Sequence, residues 1–290
     1  MFGNVQQILF VFLAFFAMAF VSYRYASDIV RKQMLVLGDE TMNTIETAVS
    51  GSLSEAQLIF ATVSQSMEEM VVANKSNQEL LEYLVTTNKY FSSSRSPLPD
   101  FMKLYAFIRN EFLDGSGWVP PADYTPPERP WYIGAAQNSG EIFFSEPYID
   151  AETGGMCISF SKELFDTAGK SFGILAIDLK LSHISDYIGA QKIANGGYGI
   201  LLSDAMTFTA HRDSDLLGKP LAEAGEGYAS LATALQEGQN ISAVRFTDTD
   251  GTDSIAFFRT IFNGWHIGVI IPRATYYAPV YQLGFVISAL

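Results

Sequence analysis

The sequence Tyr124-Thr-Pro-Pro-Glu-Arg-Pro-Trp-Tyr132 sets an arginine and a tryptophan two residues apart beside a run of prolines. Two further stretches, Pro147-Tyr-Ile-Asp150 and Ala176-Ile-Asp178, add two carboxylates and a phenol. A free α-amino acid carries a carboxylate and an ammonium group on one carbon. A pocket for such a molecule needs guanidinium or N–H donors for the first group and acidic or phenolic acceptors for the second. The three stretches supply both kinds of group.

Around these stretches the apolar residues alternate with a period of two, which is typical of strands. One set of predicted strands covers residues 103–112, 142–149, 156–162 and 172–181, and a second set covers 198–203, 207–211, 243–247, 254–261 and 265–271. The proline-rich segment 120–130 is too long for a plain turn, and long ordered loops over a sheet are commonly binding loops. The sequence therefore predicts two antiparallel sheets with helices against them, an α+β fold.

The first 26 residues are predicted to form a transmembrane helix. No charged residue occurs from Gly3 to Tyr23, which matches the roughly 20 apolar residues that a span requires. A cleaved signal peptide is the alternative, but it would begin with a basic stretch, and residues 2–7 contain no lysine or arginine. The nearest bases, Arg24, Arg31 and Lys32, follow the span. The positive-inside rule alone would place that side in the cytoplasm.

A long stalk helix is predicted for residues 27–75, which lack proline. Its apolar residues recur mostly every three or four positions, at Ile45, Val49, Ala56, Phe60, Val63, Met67 and Met70. One helix of about 45 residues would be roughly 65–70 Å long, whereas a break near Gly51 would leave two ordinary helices. Residues 276–290 are uncharged and turn strongly apolar, so they are predicted to begin a second transmembrane helix.

The composition argues against nucleic acid, metals and disulfides. The chain has 31 acidic and 18 basic residues, a net charge of −13, and no basic cluster of the kind that phosphate binding requires. Cys157 is the single cysteine, and the three histidines lie far apart without the spacing of a zinc site. The acidic run 248–253 lacks the glycine and glutamate placement of an EF-hand, so a hairpin turn is favoured over calcium binding. No metal or cofactor is predicted.

An enzymatic role is not predicted either. A hydrolase would need a nucleophile with a histidine base, and no Gly-x-Ser-x-Gly or similar motif occurs. Asp150 and Asp178 could form the carboxylate pair of a glycosidase. The neighbouring Arg129 is expected to keep the pKa of both carboxyls from rising, which argues against that role.

This organisation resembles the double Cache (dCache) extracytoplasmic sensor family of bacterial chemoreceptors, sensor kinases and cyclic-di-GMP enzymes. The likeness covers nearly the whole chain and includes an Arg-x-Trp-Tyr motif at 129–132, a Pro-Tyr-x-Asp motif at 147–150, and a late strand that ends in Asp178 and an apolar residue. Members that bind amino acids also have a tyrosine five residues before the arginine, where Tyr124 stands.

The resemblance implies two tandem PAS-like modules, carried on the long helix and flanked by transmembrane helices. The membrane-distal module would cover residues 76–185 and the membrane-proximal module 186–275, joined by a helical connector over 181–195. Residues 27–275 would be periplasmic and the chain anchored in the inner membrane. The missing output module would be a kinase, a diguanylate cyclase or a chemotaxis signalling domain.

By the same resemblance the distal module holds the ligand, a free amino acid. Arg129 and Trp131 would hold its carboxylate with help from Tyr124. The ammonium group would bind Tyr148, Asp150 and Asp178. The implied ligand-binding residues are Tyr124, Arg129, Trp131, Tyr132, Tyr148, Asp150 and Asp178. A sensor for another small ligand (an amine, a carboxylate or a purine) and a module without a direct ligand are the alternatives.

Binding is expected to close the distal sheet and the proline-rich loop against the long helix and to move the two spans slightly. The apolar stripe of that helix would also allow a homodimer.

Overall fold

A computed structural model describes residues 2–98, 100–181, 188, 193, 196–261 and 264–282 of the chain. Helix α1 (Phe2–Val72) has 71 residues and is roughly 105 Å long at 1.5 Å per residue. It passes through Gly51 without a break, so the alternative of two shorter helices is wrong. The predicted connector over 181–195 falls largely outside the described residues, as does the apolar end of the predicted second membrane helix, 283–290.

The first part of α1 is apolar and exposed. An 18-residue window of this helix has a mean hydropathy of 1.7 and contains no buried residue. Phe12, Phe16 and Phe20 are each more than half exposed. By length and composition, α1 is therefore a candidate membrane span that continues without interruption into the part that packs on the sheets.

The distal sheet has six antiparallel strands: β1 (Phe101–Ile108), β2 (Glu111–Asp114), β3 (Phe143–Phe144), β4 (Tyr148–Ile149), β5 (Met156–Phe165) and β6 (Ser171–Lys180). Their order is β2-β1-β6-β5-β3, and β4 also pairs with β5. The single strand predicted over 103–112 is wrong. Arg109 and Asn110 have positive φ angles of 52° and 62°, which turn the chain into the β1–β2 hairpin.

Two helices belong to the distal sheet. Helix α2 (Asn77–Phe91) begins with a capping box in which Ser76 and Glu79 each bond the backbone N–H of the other, and it packs on β1 and β2. Helix α3 (Pro130–Gln137) packs on β5 and β6. The proline-rich segment connects β2 to α3, so both of its ends lie at the distal sheet.

The proximal sheet repeats the same strand order. Its strands are β7 (Tyr198–Leu202), β8 (Phe208–Ala210), β9 (Ile241–Thr247), β10 (Asp253–Thr260) and β11 (His266–Pro272), in the order β8-β7-β11-β10-β9. Helix α4 (Glu226–Gln236) buries Leu231 and Leu235 against it, and the short helix α5 (Arg273–Tyr276) follows β11. The predicted hairpin at 248–253 is confirmed, because Asp253 pairs with Thr247.

One face of α1 holds both sheets. Its buried residues recur every three or four positions: Met42, Ile45, Val49, Leu53, Ala56, Phe60, Val63, Met67 and Val71. On the distal sheet, the rings of Phe60 and Phe160 stack with their centres 6.4 Å apart. On the proximal sheet, Gly38 lies so close to Phe257 that an added Cβ would come within 3.0 Å of the ring. Glycine therefore allows α1 to approach the proximal sheet closely.

The strands of the distal sheet divide their side chains between two faces. On β6, Leu175, Ile177 and Leu179 belong to the core shared with α1. Ile174 and Ala176 point to the opposite face, where they pack with Tyr105 and Trp131. Because side chains alternate along a strand, Asp178 is on this second face as well, and the predicted alternation is confirmed.

Replacing Phe60 by alanine is expected to lower the free energy of unfolding by about 3–5 kcal/mol, because the side chain is fully buried between α1 and the distal sheet. The matched control is Leu58→Ala two residues away, where the side chain is 69% exposed and the expected change is within about 0.5 kcal/mol. Urea denaturation followed by tryptophan fluorescence measures both. Equal effects would show that α1 does not pack on the sheet through this face.

Candidate functional site

Six of the seven residues predicted to bind a ligand line one small cavity on the face of the distal sheet away from α1. They are Tyr124, Arg129, Trp131, Tyr148, Asp150 and Asp178. Lys103, Tyr105, Phe112 and Ala151 complete its wall. The free volume inside is about 10 Å³, roughly the space of one water molecule. The side chains are therefore already in close contact with one another.

Tyr132 lies outside this cavity. Its ring packs edge-on against Phe107 and Trp131, with centres 5.9 and 5.7 Å away, and it lines a neighbouring cleft beside Arg109. Successive residues of an α-helix point about 100° apart. Trp131 and Tyr132 follow each other on α3, so they cannot both face the cavity.

The local sequence explains how Trp131 is fixed. Pro130 occupies the first position of α3, where its missing N–H is no loss and its φ suits a helix. The hydroxyl of Ser161 on β5 donates to the Trp131 carbonyl at 2.7 Å, which ties the start of α3 to the sheet. The indole lies edge-on to Tyr105, with the ring centres 5.0 Å apart. Trp131 is 1% exposed.

Arg129 carries donors that the described residues leave unused. Its Nη2 donates to the carbonyl of Ile149 at 3.0 Å, and the guanidinium lies 5.7 Å from the ring centres of both Tyr124 and Tyr148. Its Nε is buried without a hydrogen-bond partner, and within the described parts of the chain no carboxylate forms an ion pair with it. Buried donors of this kind usually have partners.

Asp178 is the most deeply buried acid in the cavity, at 1% exposure. The hydroxyls of Tyr105 and Tyr148 donate to its Oδ1 at 2.8 and 3.1 Å, and the hydroxyl of Ser159 also donates to Oδ1. Oδ2 receives no hydrogen bond from the residues that the structure describes. One oxygen of this carboxylate is therefore crowded with donors, and the other is left for an additional donor.

Burial raises the pKa of Asp178 to about 6, although the Ser159 hydroxyl and the charge of Lys103 act in the opposite direction. The expectation that Arg129 keeps the pKa of both acidic residues from rising is wrong for Asp178. Arg129 forms no ion pair with this carboxylate, so loss of hydration has the larger effect.

Asp150 has a partner that the sequence analysis missed. Lys103 Nζ lies 2.6 Å from Asp150 Oδ1 and 3.2 Å from Glu152 Oε2. The N–H and the hydroxyl of Thr153 donate to Asp150 Oδ2 at 2.7 and 2.8 Å. Burial alone would raise the pKa of Asp150, but these bonds lower it.

The pKa of Lys103 is raised. Burial acts to lower it, but the hydrogen bond that Lys103 donates to Asp150, together with the charges of Asp178 and Asp150, outweighs that effect. Lys103 pairs directly with Asp178 across β1 and β6. Because side chains alternate between the two faces of a strand, a correctly aligned β1 would have placed this lysine in the cavity. The sequence alone does not give the register of the pairing.

The cavity thus presents one guanidinium and one carboxylate oxygen that lack ionic partners among the described residues. Tyr148 connects them, because its ring lies beside Arg129 and its hydroxyl donates to Asp178. A molecule that carries an anionic and a cationic group a few ångströms apart complements this arrangement.

The position of the cavity corrects the expected closing motion. The distal sheet was expected to close against the long helix, but the cavity lies on the other face of that sheet. The elements that cover it are the start of α3, the segment that carries Trp118 and Tyr124, and the turn after β4. Closure over a ligand has to come from these elements.

The raised pKa of Asp178 predicts a pH effect on stability. A carboxyl whose pKa is 3.8 when unfolded and about 6 when folded binds its proton more tightly in the folded state. Its contribution to stability is therefore present below pH 4 and is lost as the pH rises to 6, by about 3 kcal/mol. The free energy of unfolding of the wild type, measured by urea denaturation relative to that of Asp178→Asn, should fall by about this amount between pH 4 and pH 7. A constant difference across this range would contradict the raised pKa.

Comparison with known proteins gives relatives over most of the chain. The methyl-accepting chemotaxis protein McpB of Bacillus subtilis is 24% identical over 264 residues, which is 91% of this chain and 37% of McpB. The chain thus spans little more than a third of that relative. The ligand-binding domain of Mlp24, solved with asparagine, matches with a TM-score of 0.66 and 19% identity, covering 87% of this chain and 99% of that domain.

The ligand-binding domain of the Pseudomonas fluorescens chemoreceptor CtaA, solved with L-serine, matches with a TM-score of 0.62 and 25% identity over 85% of this chain and 98% of that one. The sequence profile of the Cache domain in its double form, dCache_1, matches residues 24–280. These residues include α1 beyond its exposed apolar part, both sheets and the cavity. The chain belongs to the double Cache domain family.

Proposed function

We propose that the distal module binds a free L-α-amino acid and that the chain is the extracytoplasmic sensor region of a transmembrane receptor. The observation that carries this proposal is the pair of unmatched charged groups in one cavity. Arg129 has a buried Nε without a partner, and Asp178 has an oxygen that receives no hydrogen bond from the described residues. The carboxylate and ammonium of an amino acid satisfy both at once.

The carboxylate would bind the guanidinium of Arg129, with the Trp131 and Tyr124 side chains beside it. The ammonium would bind Asp178 Oδ2 and Asp150, and it would contact the Tyr148 ring. Charge-assisted hydrogen bonds of this kind are about twice as strong as neutral ones. Tyr132 contacts Trp131 from the cleft behind it and would act by holding the indole in place.

The relatives support this choice of ligand over the alternatives. The Mlp24 and CtaA domains were solved with asparagine and L-serine. An amine would leave Arg129 unmatched, and a simple carboxylate would leave Asp178 unmatched. The whole receptor is proposed to signal in chemotaxis, because McpB is a chemotaxis protein. A kinase or a cyclase as the output module would serve the same sensor.

The distal module would transmit binding to the proximal module through direct contacts. The ring of Phe144 on β3 lies 4.9 Å from that of Trp265, which immediately precedes β11. Met156, the first residue of β5, touches Gly218, where an added Cβ would lie 2.8 Å from its Cε. Strand β11 then continues into α5 and toward the C-terminal end. The boundaries proposed for the modules remain 76–185 and 186–275.

A homodimer through α1 is also proposed. Val36 and Leu37 are 55% and 42% exposed on the part of this helix beyond the candidate span, so apolar surface remains after both sheets have packed on it. The proposed location is the inner membrane, with residues 27–275 in the periplasm.

The ligand is tested by calorimetric titration of the purified chain with each of the twenty L-amino acids. Arg129→Ala and Asp178→Ala should each weaken binding of the active amino acid by about 2–5 kcal/mol, because each leaves one charge of the ligand without its partner. Arg245→Ala is the control, since this arginine is 65% exposed on the proximal sheet. If a folded wild type binds none of the twenty, the amino-acid proposal fails. Loss of binding in Asp178→Ala alone would favour an amine.

The proposed location is tested by cysteine labelling of spheroplasts. Cys157 is fully buried and burial raises the pKa of its thiol, so the wild type should react little with a membrane-impermeant maleimide. A cysteine at the exposed position Ser94, introduced as Ser94→Cys, should be labelled in intact spheroplasts. Labelling that appears only after lysis would place this module in the cytoplasm.

A further inference from the structure

We propose that Lys103 is a built-in competitor of the ligand: its ammonium group holds Asp150, and the ligand's ammonium displaces it toward Glu152. This inference rests on the proposed amino-acid function and adds a means by which the site itself regulates binding. It assigns a role to a lysine that the motifs of the resemblance do not include.

The position of Lys103 is that of a ligand cation. Its side chain is 6% exposed, lines the cavity, and places Nζ 4.8 Å from the ring centre of Trp118 and 5.6 Å from that of Tyr105. Aromatic rings around an ammonium group, with a carboxylate at 2.6 Å, form the kind of site that recognises ammonium ligands. Here a side chain of the protein occupies it.

The chain itself already uses three of the about four acceptor positions of the Asp150 carboxylate. Oδ1 is taken by Lys103, and Oδ2 by the N–H and hydroxyl of Thr153. The free space in the cavity, about 10 Å³, is far below what an amino acid fills. An incoming ammonium group therefore has to compete with Lys103 for Asp150 Oδ1.

Glu152 gives the displaced lysine a second partner. Its carboxylate already lies 3.2 Å from Lys103 Nζ, and its side chain is 33% exposed at the rim. A buried charge that loses its only partner is strongly destabilising. Moving from Asp150 to Glu152 avoids this cost, because Lys103 stays paired while the ligand takes its place.

The proximal module contains the same kind of internal pairing. Asp248 follows β9 and begins the turn into β10, as Asp150 follows β4 and begins the turn into β5. Asp248 accepts hydrogen bonds from the hydroxyls of Tyr198 and Tyr228 at 2.8 and 2.9 Å, and Arg212 Nη2 lies 3.2 Å from it. In both modules a base of the chain neutralises the aspartate at this turn.

The two modules differ in what else that base can bind. Arg212 stacks on Tyr198 at 4.0 Å and also bonds Asp250. Together with Asp248, these two contacts fix the position of the arginine. Lys103 is a compact ammonium on a flexible stem between two carboxylates on one turn. Exchange at Asp150 would change the contacts of residues 150–153, next to the β4–β5 pairing that leads to Met156 and the proximal module.

The test compares the wild-type chain with Lys103→Met, using the amino acid that binds the wild type and the acid that lacks its α-amino group (propionate if L-alanine binds). Removing Lys103 should tighten binding of the amino acid about tenfold, because Asp150 no longer has to be freed from the lysine before the ligand binds. The des-amino acid should gain nothing. Lys162→Met, on the opposite face of the same sheet and paired with Glu68, is the matched control and should bind like the wild type.

Two further variants keep the test decisive. If the Lys103→Met variant does not fold because Asp150 has lost its cation, Lys103→Gln replaces it. Glu152→Gln removes the second partner of the lysine and should weaken binding several-fold, while leaving the buried pair intact. Unchanged or weaker binding of the amino acid by a folded Lys103 variant would overturn the competitor role and leave the amino-acid function standing. Absence of binding by the folded wild type would instead overturn the proposed function and this inference with it.

Discussion

Successive side chains of a strand point to opposite faces of its sheet, and strand β6 shows how much of this protein depends on that constraint. Its leucines and isoleucine at 175, 177 and 179 join the core with α1, and Ile174, Ala176 and Asp178 face the cavity. The contact that attaches the sheet to the stalk and the contact that would bind a ligand therefore belong to one strand. A slip of one residue in its pairing would place Asp178 against α1 and destroy both.

The charges in the cavity differ in whether they are already paired. Lys103, Asp150 and Glu152 form a closed group, whereas Arg129 and one oxygen of Asp178 have no ionic partner among the described residues. Burying the Asp178 carboxylate and the Nε of Arg129 without full pairing costs free energy, and the pKa of Asp178, raised to about 6, expresses that cost. A zwitterion relieves it at both ends, which is why burial and hydrogen bonding together favour an amino acid over a singly charged ligand.

The two modules share one strand order but differ in how the corresponding aspartate is paired. In the proximal module, Tyr198, Tyr228 and Arg212 surround Asp248 completely, so the position that corresponds to the candidate site is filled by the chain itself. In the distal module the corresponding aspartate is held by one flexible lysine. The contacts Phe144–Trp265 and Met156–Gly218 join the distal sheet to the proximal module. The fold thus carries both modules on a single helix, α1.

The sequence by itself determined the elements whose signals are local: the apolar first segment, the three-and-four stripe of α1, the hairpin at 248–253 and the alternation on β6. It also named six residues that share one cavity, because their motifs follow the order of a known family. Tertiary structure alone decided that Tyr132 turns away, that β1 and β2 form a hairpin, that the cavity lies opposite α1, and that Lys103 enters it. Each of these depends on strand register or on which face a helix presents. Register and facing are set by contacts between residues far apart in the chain, such as Lys103 with Asp178 and Asp150, and no local pattern records them.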